Sequence, residues 1–352
     1  MLGVIVLNWN GGEDLVECLR SVYASEDCGA EIVVYVPDNA STDGSIDAVG
    51  REFPQARVIQ NGGNLGFSGG NNPGWRQAAA DGAEWVFFLN NDAVVAPDCL
   101  RRMLEVCRAN PQIGAACPTI YYGTPQTHPD GKSSPDSRPE IWFEKGICDF
   151  EVFCGVNHTE ATPEERSSTW YETAWCTGCC FLTTAKLLEA TGGFDEGFFA
   201  YCEDTDLSLK IRAEGRVCAM IPSAISWHKV GQSTSKEPTP GYVFYIGRNT
   251  YYLAQRHAPR PDVWAKFQRV YRRQIMTLTF GFLNSGKRLM GETILQGYHY
   301  AIRGHKGIRP ARRPGLALKG AARLIQGVYK VRNQLRRKPD EPAVALAGQG
   351  PV

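Results

Sequence analysis

The 352-residue chain has no long hydrophobic run. Its longest uninterrupted apolar stretches, Trp85 to Leu89 among them, hold five residues, against the ~20 that a membrane-spanning helix needs. The start runs from Met1-Leu2-Gly3 directly into Val4-Ile5-Val6-Leu7. It has no basic stretch and no small-residue cleavage site, so no secretory leader is expected. Two nucleotide motifs are also missing. The first strand-to-helix turn reads Asn8-Trp9-Asn10-Gly11-Gly12 rather than G-x-G-x-x-G, and no G-x-x-x-x-G-K-[ST] occurs. Hydride transfer and ordinary ATP hydrolysis therefore lose their expected support. Acid, finally, is almost absent from residues 264–338, which hold 18 Lys or Arg and one acid, Glu292.

That last scarcity is local. Residues 1–263 carry 20 Lys or Arg against 34 Asp or Glu, net −14, while 264–338 are net +17. A basic segment behind an acidic body predicts a polyanionic partner, such as anionic lipid, a pyrophosphate-linked lipid or nucleic acid. No nucleic-acid recognition motif accompanies the charge, so a membrane surface is the expected partner. Twelve cysteines are scattered along the chain. Cys176-Thr177-Gly178-Cys179-Cys180 has C-x-x-C spacing, but no second pair or histidine stands at zinc spacing. The cluster reads as small side chains on a buried strand.

With 43% hydrophobic and 21% charged residues the chain can build an ordinary core. Its first half alternates strand and helix signals. Strands are predicted at Gly3–Asn8, 31–36, 57–59 and 85–89, the last hydrophobic throughout, as for a strand buried on both faces. Between them, Leu15, Cys18, Leu19 and Val22 recur at helical spacing, and Ser45–Glu52 reads as a short helix. The glycine-rich stretch from Asn61 to Gly74 reads as a loop before a helix at 75–80. Pro97 opens a further helix carrying Leu100, Met103 and Leu104. This alternation predicts an α/β fold, a mostly parallel sheet flanked by helices. Residues 119–175 break the rhythm and read as a loop-rich insertion. Order returns with a strand at 179–182, a helix through Leu187 that stops at Gly192-Gly193, and a strand at 217–221. Residues 236–338 read as a basic, largely helical extension: Val263, Phe267, Tyr271 and Ile275 follow helical spacing beside Lys266, Arg269, Arg272 and Arg273. A basic amphipathic helix of this kind suits a membrane interface. Residues 339–352 read as a disordered end.

In open parallel sheets ligands sit beyond the carboxyl ends of the strands. Four such ends carry polar signals: Asn8-Trp9-Asn10, Asp38 to Ser45, Asn64 to Asn72, and Asn90-Asn91-Asp92. One such loop could be a turn cap, but four on one rim favour a ligand. Asp38 can accept from a base or ribose. Asp92 follows a buried strand, where a lone carboxylate suits Mg²⁺ or Mn²⁺ with substrate phosphates completing the shell. A second dense region, Gly193 to Leu207, brings Phe198, Phe199 and Tyr201 up to Glu203-Asp204-Thr205-Asp206. Acids at a helix start are favourable with the macrodipole, which accounts for Asp206 and for Glu203. The aromatic approach would give one carboxylate a partly apolar setting, suited to taking a proton from a sugar hydroxyl. His228 ends a further apolar strand.

These segments together (Val4 to Gly11, Asp38 to Ser45, Asn64 to Gly74, Leu89 to Asp92, Gly192 to Asp206, His228 to Ser233) resemble the family 2 inverting glycosyltransferases of the GT-A fold, in their rhamnosyltransferase-like branch. The resemblance covers roughly residues 1–235 and implies a catalytic domain there, with the 119–175 insertion near the acceptor. It implies a nucleotide-sugar donor, with dTDP-rhamnose favoured, held by Asn8, Asn10, Asp38, Asn39, Gly66, Asn71, Asn90 and Asn91. It implies a divalent metal at Asp92 and His228, and Asp204, with Glu203 beside it, as the catalytic base. Trp175, Phe198, Phe199 and Tyr201 are expected to line the side of a saccharide or lipid-linked saccharide acceptor. The family's Asp-x-Asp has Asn90 at its first place here; an asparagine can still bind ribose or a metal-bound water. The implied setting is the cytoplasmic face of the cell membrane, in cell-surface polysaccharide synthesis. Two other readings share parts of these signals. A nucleotidyltransferase would show a basic glycine-rich loop after the first strand, and a non-catalytic nucleotide-sugar-binding or membrane scaffold protein would not need Asp92, Asp204 and His228.

Overall fold

The computed structural model describes residues 1–125, 140–150, 155–229, 238–310 and 314–336. The end of the last motif, at 230–233, the final residues 339–352 and part of the 119–175 segment lie outside them. The chain divides into two compact units, Met1–Cys148 with Val156–Val230, and Asp149–Gly155 with Gly231–Val352.

The first unit is a mixed ten-stranded sheet flanked by helices. In chain order it runs β1 (Leu2–Leu7), α1 (Gly12–Tyr23), β2 (Ile32–Asp38), α2 (Ser45–Glu52), β3 (Arg57–Gln60), α3 (Gly66–Ala80), β4 (Trp85–Asn90), β5 (Ala93–Val95), α4 (Cys99–Ala109) and β6 (Ile113–Tyr122). It continues with β7 (Ile141–Phe143), β8 (Gly146–Asp149), β9 (Gly155–His158), α5 (Pro163–Ser167), β10 (Tyr171–Thr173), β11 (Cys180–Thr184), α6 (Ala185–Thr191), α7 (Glu203–Ala213) and β12 (Val217–His228). The strand order is β10-β12-β6-β11-β4-β1-β2-β3, with β5 on β12 and β7 on β6. The β1 to β4 half is parallel, as the alternation of strands and helices predicts. β11 enters antiparallel between β4 and β6, which makes the sheet mixed. β12 runs on past the predicted 217–221 to His228, through register shifts along β6.

α3 departs most from the expected pattern. The segment Gly66-Phe67-Ser68-Gly69-Gly70-Asn71-Asn72-Pro73-Gly74 is helical, not a loop. Its glycines explain why. A Cβ on Gly70 would lie 2.6 Å from a Leu7 methyl, and one on Gly74 would lie 2.7 Å from both Ile5 and Pro37. One turn on, the Cβ of Ala78 occupies the space that a Cβ on Gly3 would need. The odd-numbered residues of β1 thus face α3, and the helix can approach the sheet this closely only where side chains are missing. Tertiary packing overrides the low helix propensity of glycine. α6 ends as predicted, at Gly192 in the left-handed conformation.

The second unit contains α8 (Pro240–His257), α9 (Pro261–Asn284), α10 (Arg288–Ile302) and α11 (Leu316–Arg336). Thr239 caps α8 by accepting the Tyr242 N–H at 3.1 Å. α8 and α10 cross closely at two glycines: a Cβ on Gly297 would lie 2.2 Å from the Phe244 carbonyl oxygen, and one on Gly247 2.9 Å from that of Ile294. α9 buries Val263, Phe267, Tyr271, Ile275 and Thr279, an i, i+4 stripe. Its Lys266, Arg269, Arg272 and Arg273 are exposed.

Replacing Gly74 by Ala should destabilise the protein by about 1–3 kcal/mol through overpacking. Gly50, in α2 with nothing near its missing Cβ, should gain about 0.5–1 kcal/mol from the same change. Urea unfolding of the two variants measures both; equal effects would remove the packing explanation for α3.

Candidate active site

The rim at the carboxyl ends of β1, β2 and β4 is assembled around a buried amide. Asn8 continues β1 as a lone bridge to Asp38 and is fully buried. Its Nδ2 group donates to Asp38 Oδ1 at 3.0 Å, Ser41 Oγ at 3.0 Å and Ser45 Oγ at 2.9 Å. Its Oδ1 accepts the Gly11 N–H at 3.1 Å and Asn91 Nδ2 at 3.4 Å. Asp38 further accepts from the Ser41 hydroxyl at 2.6 Å and its backbone N–H at 3.1 Å. Asn39 is equally engaged: it donates to Asn64 Oδ1 and to the Gly66 carbonyl, and accepts from Asn61. Asn71, also buried, donates back along α3 to the Phe67 carbonyl at 3.0 Å.

Two of the residues expected to meet the donor, Asn8 and Asn39, therefore spend their amides holding the loops together. They shape the rim rather than offer it hydrogen bonds, because a buried amide must find partners inside the protein. Asn10 is exposed, Asn90 and Asn91 are half-buried, and Asp38 is buried. Gly66 sits where only glycine fits: its φ is +72°, and a Cβ would lie 2.3 Å from the Phe199 carbonyl oxygen. That contact joins the third loop to the segment leading into α7.

The segment is strained. Among the described residues five non-glycine residues have positive φ: Asn10, Ala40, Phe199, Tyr201 and Cys202. All five lie at the strand-end loops or immediately before α7. Such backbone costs of order 1–3 kcal/mol per residue and persists where the surroundings enforce it, often at functional sites. Here Asn72 is one enforcing group, and it is absent from the set of residues predicted from sequence. It donates to the Phe194 carbonyl at 2.9 Å and Glu196 Oε1 at 3.0 Å, and accepts from Trp75 Nε1 at 2.9 Å. Its position inside the asparagine-rich loop motif was the available signal.

Glu203 and Asp204 open α7 in different settings. Asp204 Oδ2 accepts the Gly178 N–H at 2.9 Å; Oδ1 accepts the Thr205 N–H at 2.7 Å and its hydroxyl at 3.3 Å. Burial raises its pKa above the ordinary aspartate value, and these donors offset part of the rise. Glu203 is buried, and its Oε2 has no hydrogen-bond partner among the described residues. Burial first, and the Asp204 charge second, push its pKa well up. Burial thus disfavours charge on both carboxyls, and of the two Asp204 is the one with donors at both oxygens to offset it. Asp206, fully buried, lies 3.4 Å from Lys210 Nζ within the same helix, a structural ion pair.

Asp92 and His228 are brought together by β5 pairing with the end of β12, where His228 lies opposite Ala93. His228 Nε2 is 3.0 Å from Asp92 Oδ1. Burial would raise the Asp92 pKa; His228, through charge and hydrogen bond, more than offsets it and holds the carboxyl low. The edge of the Trp142 ring packs on the imidazole, centroids 4.4 Å apart. His228 Nδ1 is buried with no partner among the described residues. Lys229 ties this corner to α1 through Asp14 at 2.5 Å and through Glu17. An oxygen donor and an imidazole are suited to Mg²⁺ or Mn²⁺. No group of three or more His, Cys, Asp or Glu that could hold a metal occurs among the described residues. The pair thus fits a cation whose remaining positions are filled by a diphosphate, and does not fit a closed structural site.

The two carboxylate centres share one rim. β11 runs antiparallel to β4, so its start lies beside the end of β4: the Asn90 N–H donates to the Cys179 carbonyl at 2.9 Å. Cys179 follows Gly178, which holds Asp204; Asn90 precedes Asp92 by two residues. The neighbouring cysteines are buried free thiols. The four aromatics divide. Trp175 and Phe198 are core residues, Trp175 donating its indole N–H to the Ile147 carbonyl at 3.1 Å and lying 4.9 Å from the Phe143 ring. Neither presents a face to a sugar. Phe199 and Tyr201 are half-buried, beside the strained turn.

The chain is similar to known proteins. The family model "Glycosyl transferase family 2" matches residues 3–191. The N-acetylglucosaminyl-diphospho-decaprenol L-rhamnosyltransferase of Mycobacterium tuberculosis is 28% identical over 270 residues, covering 73% of this chain and 85% of that protein. Among solved structures, residues 1–349 of S. aureus TarS in complex with UDP align with a TM-score of 0.54 at 14% identity, over 98% of this chain and 94% of that one. GalNAc-T7 with UDP, GalNAc and Mn²⁺ aligns with a TM-score of 0.53 at 18% identity, over 77% of this chain and 54% of that one, about half its length.

A raised carboxyl pKa has a linked effect on stability. Between the ordinary glutamate value and its own raised value, Glu203 binds a proton in the folded state and not in the unfolded state, so stability falls as pH rises through that window. Glu203→Gln removes the titration. Its melting temperature relative to the parent should rise from pH 5 to pH 8; a constant difference would mean Glu203 titrates normally.

Proposed function

The chain belongs to glycosyl transferase family 2, and from that premise we propose an inverting, metal-dependent transfer of a sugar from a nucleoside-diphosphate donor to a hydroxyl of a saccharide acceptor. The donor favoured is dTDP-rhamnose and the acceptor a lipid-linked saccharide, in cell-surface polysaccharide synthesis; the mycobacterial relative's name supports both the sugar and the diphospho-lipid. Such an acceptor would set the enzyme at the cytoplasmic surface of a membrane. No described helix is long and apolar enough to cross one, so peripheral attachment is the form proposed.

The observation that carries the proposal is the Asp204 carboxyl held by the Gly178 N–H on the rim that also carries Asp92 and His228. The donor's nucleoside lies over the β1 and β2 loops, with Asp38 and Asn10 toward its base and ribose, and its diphosphate toward Asn90 and Asp92. Asp92 and His228 would hold the Mg²⁺ or Mn²⁺, whose charge offsets that developing on the leaving diphosphate. Asp204 takes the proton of the acceptor hydroxyl as that oxygen forms its bond to the anomeric carbon. The bond from that carbon to the diphosphate oxygen breaks on the opposite face, and the nucleoside diphosphate leaves with the bonding pair. Configuration therefore inverts. The raised Asp204 pKa makes it a better base than a solvated aspartate. The raised Glu203 pKa disfavours a second negative charge beside Asp204. The strained 199–202 turn fixes where the base stands, as positioning requires.

Asp204→Asn should lower kcat by roughly a hundredfold to ten-thousandfold with donor binding by calorimetry unchanged, while Glu203→Gln keeps most of the rate. A kcat for Asp204→Asn within tenfold of the parent would reject the base assignment. Chelation should abolish transfer and Mn²⁺ restore it, with tighter metal binding when nucleoside diphosphate is present; transfer that persists in excess chelator would reject the metal role.

A further inference from the structure

The second unit has an outer surface that neither its own packing nor the chemistry above uses. Nine of the eleven large hydrophobic side chains exposed among the described residues belong to it. α11 shows the arrangement most clearly. One side of it is docked: Ala322 is buried, Tyr329 stacks on Phe280 at 5.0 Å and bonds Thr277 at 3.0 Å, and Gln326 donates to the Leu283 carbonyl at 3.4 Å. The other side points outward with Leu316 86% exposed, Leu324 70% and Val328 56%. Spacings of eight and four residues place these three on one helix face. Lys319, Arg323 and Lys330 border that face. In a helix that only covers a core, the apolar side would be the docked one.

The loop after α10 repeats the pattern. Ile302 and Ile308 are exposed, Ile308 by 67%, among Arg303, Lys306 and Arg309. This exposure is fixed rather than incidental. On either side of Ile308, the Gly307 carbonyl accepts from the fully buried Arg248 at 2.5 Å, and the Arg309 N–H donates to the Tyr245 hydroxyl at 2.8 Å. The one acid of residues 264–338, Glu292, is buried and bonded to Arg288 at 2.8 Å. Nothing acidic from that segment therefore reaches the surface to offset its bases.

We propose that the outward face of α11, with the 302–309 loop, inserts into the headgroup layer of an anionic bilayer: Leu316, Leu324, Val328 and Ile308 enter the acyl boundary and the neighbouring Lys and Arg bind lipid phosphates. Exposed apolar side chains bordered by bases of one sign fit this surface. An acidic protein would leave the apolar tips without a partner, and a second copy would bring like charge against like. The attachment is interfacial and does not depend on which sugar is transferred.

The test is co-sedimentation of the full chain with phosphatidylcholine vesicles, with and without about one third phosphatidylglycerol. Binding should require the anionic lipid and weaken with salt. Leu316→Ser, Leu324→Ser and Val328→Ser together should weaken it at least about tenfold. Lys319→Ala, Arg323→Ala and Lys330→Ala together should weaken it on the order of a hundredfold at low salt, about fivefold per base. Both sets should leave nucleotide-sugar binding unchanged, which separates this surface from the catalytic proposal. Equal binding to neutral vesicles, no binding at all, or anionic binding untouched by both sets would overturn it. So would self-association in solution that the apolar set abolishes, which would make the occupant a second copy. If the apolar set fails to fold, the basic set alone decides.

Discussion

Two hydrogen bonds hold the site together. The Gly178 N–H fixes the Asp204 carboxylate, and one residue on, the Cys179 carbonyl accepts the N–H of Asn90. Both depend on β11 entering the sheet antiparallel beside β4. Had β11 joined parallel, its start would lie at the far end of β4, and the acid of α7 would have no path to the rim that carries Asp92. The mixed character of the sheet is thus what lets residues more than a hundred positions apart in sequence share one site.

Burial then sorts three carboxyls into three roles. Glu203 has no donor at one oxygen, and burial pushes its pKa well up. Asp204 has three donors, which offset part of the rise that burial causes. Asp92 is as buried as Glu203 but faces His228, and stays low. Three carboxyls in one fold thereby differ in acidity, and the difference lies in burial and in what each oxygen touches.

Much of this was legible in the sequence, and the rest was hidden for physical reasons. Period and turn chemistry located β1 to β4, α2 and the stop of α6 to within a residue or two, because those signals are local. The polar strand ends marked the rim for the same reason. α3 was hidden because its glycines look like a loop and become a helix only against Leu7, Ile5 and Pro37. The asparagines were legible as a site but not as a scaffold: nothing local says that Asn8 and Asn39 consume their amides inside the rim while Asn10 and Asn90 face outward. Trp175 and Phe198 likewise carry the same side-chain chemistry whether they line a pocket or fill a core; only Phe143, Gly146 and the Ile147 carbonyl decide for Trp175.

We propose that one cation at Asp92 and His228 and one carboxyl oxygen of Asp204 flank the same bound sugar nucleotide. The most direct measurement is a crystal structure with Mn²⁺ and a non-hydrolysable nucleotide sugar, with the metal located by its anomalous signal. A single strong peak is expected within bonding distance of Asp92 and His228, with the diphosphate beside it and the Asp204 carboxylate on the opposite face of the anomeric carbon. A peak elsewhere, or an anomeric carbon whose open face looks away from Asp204, would contradict it.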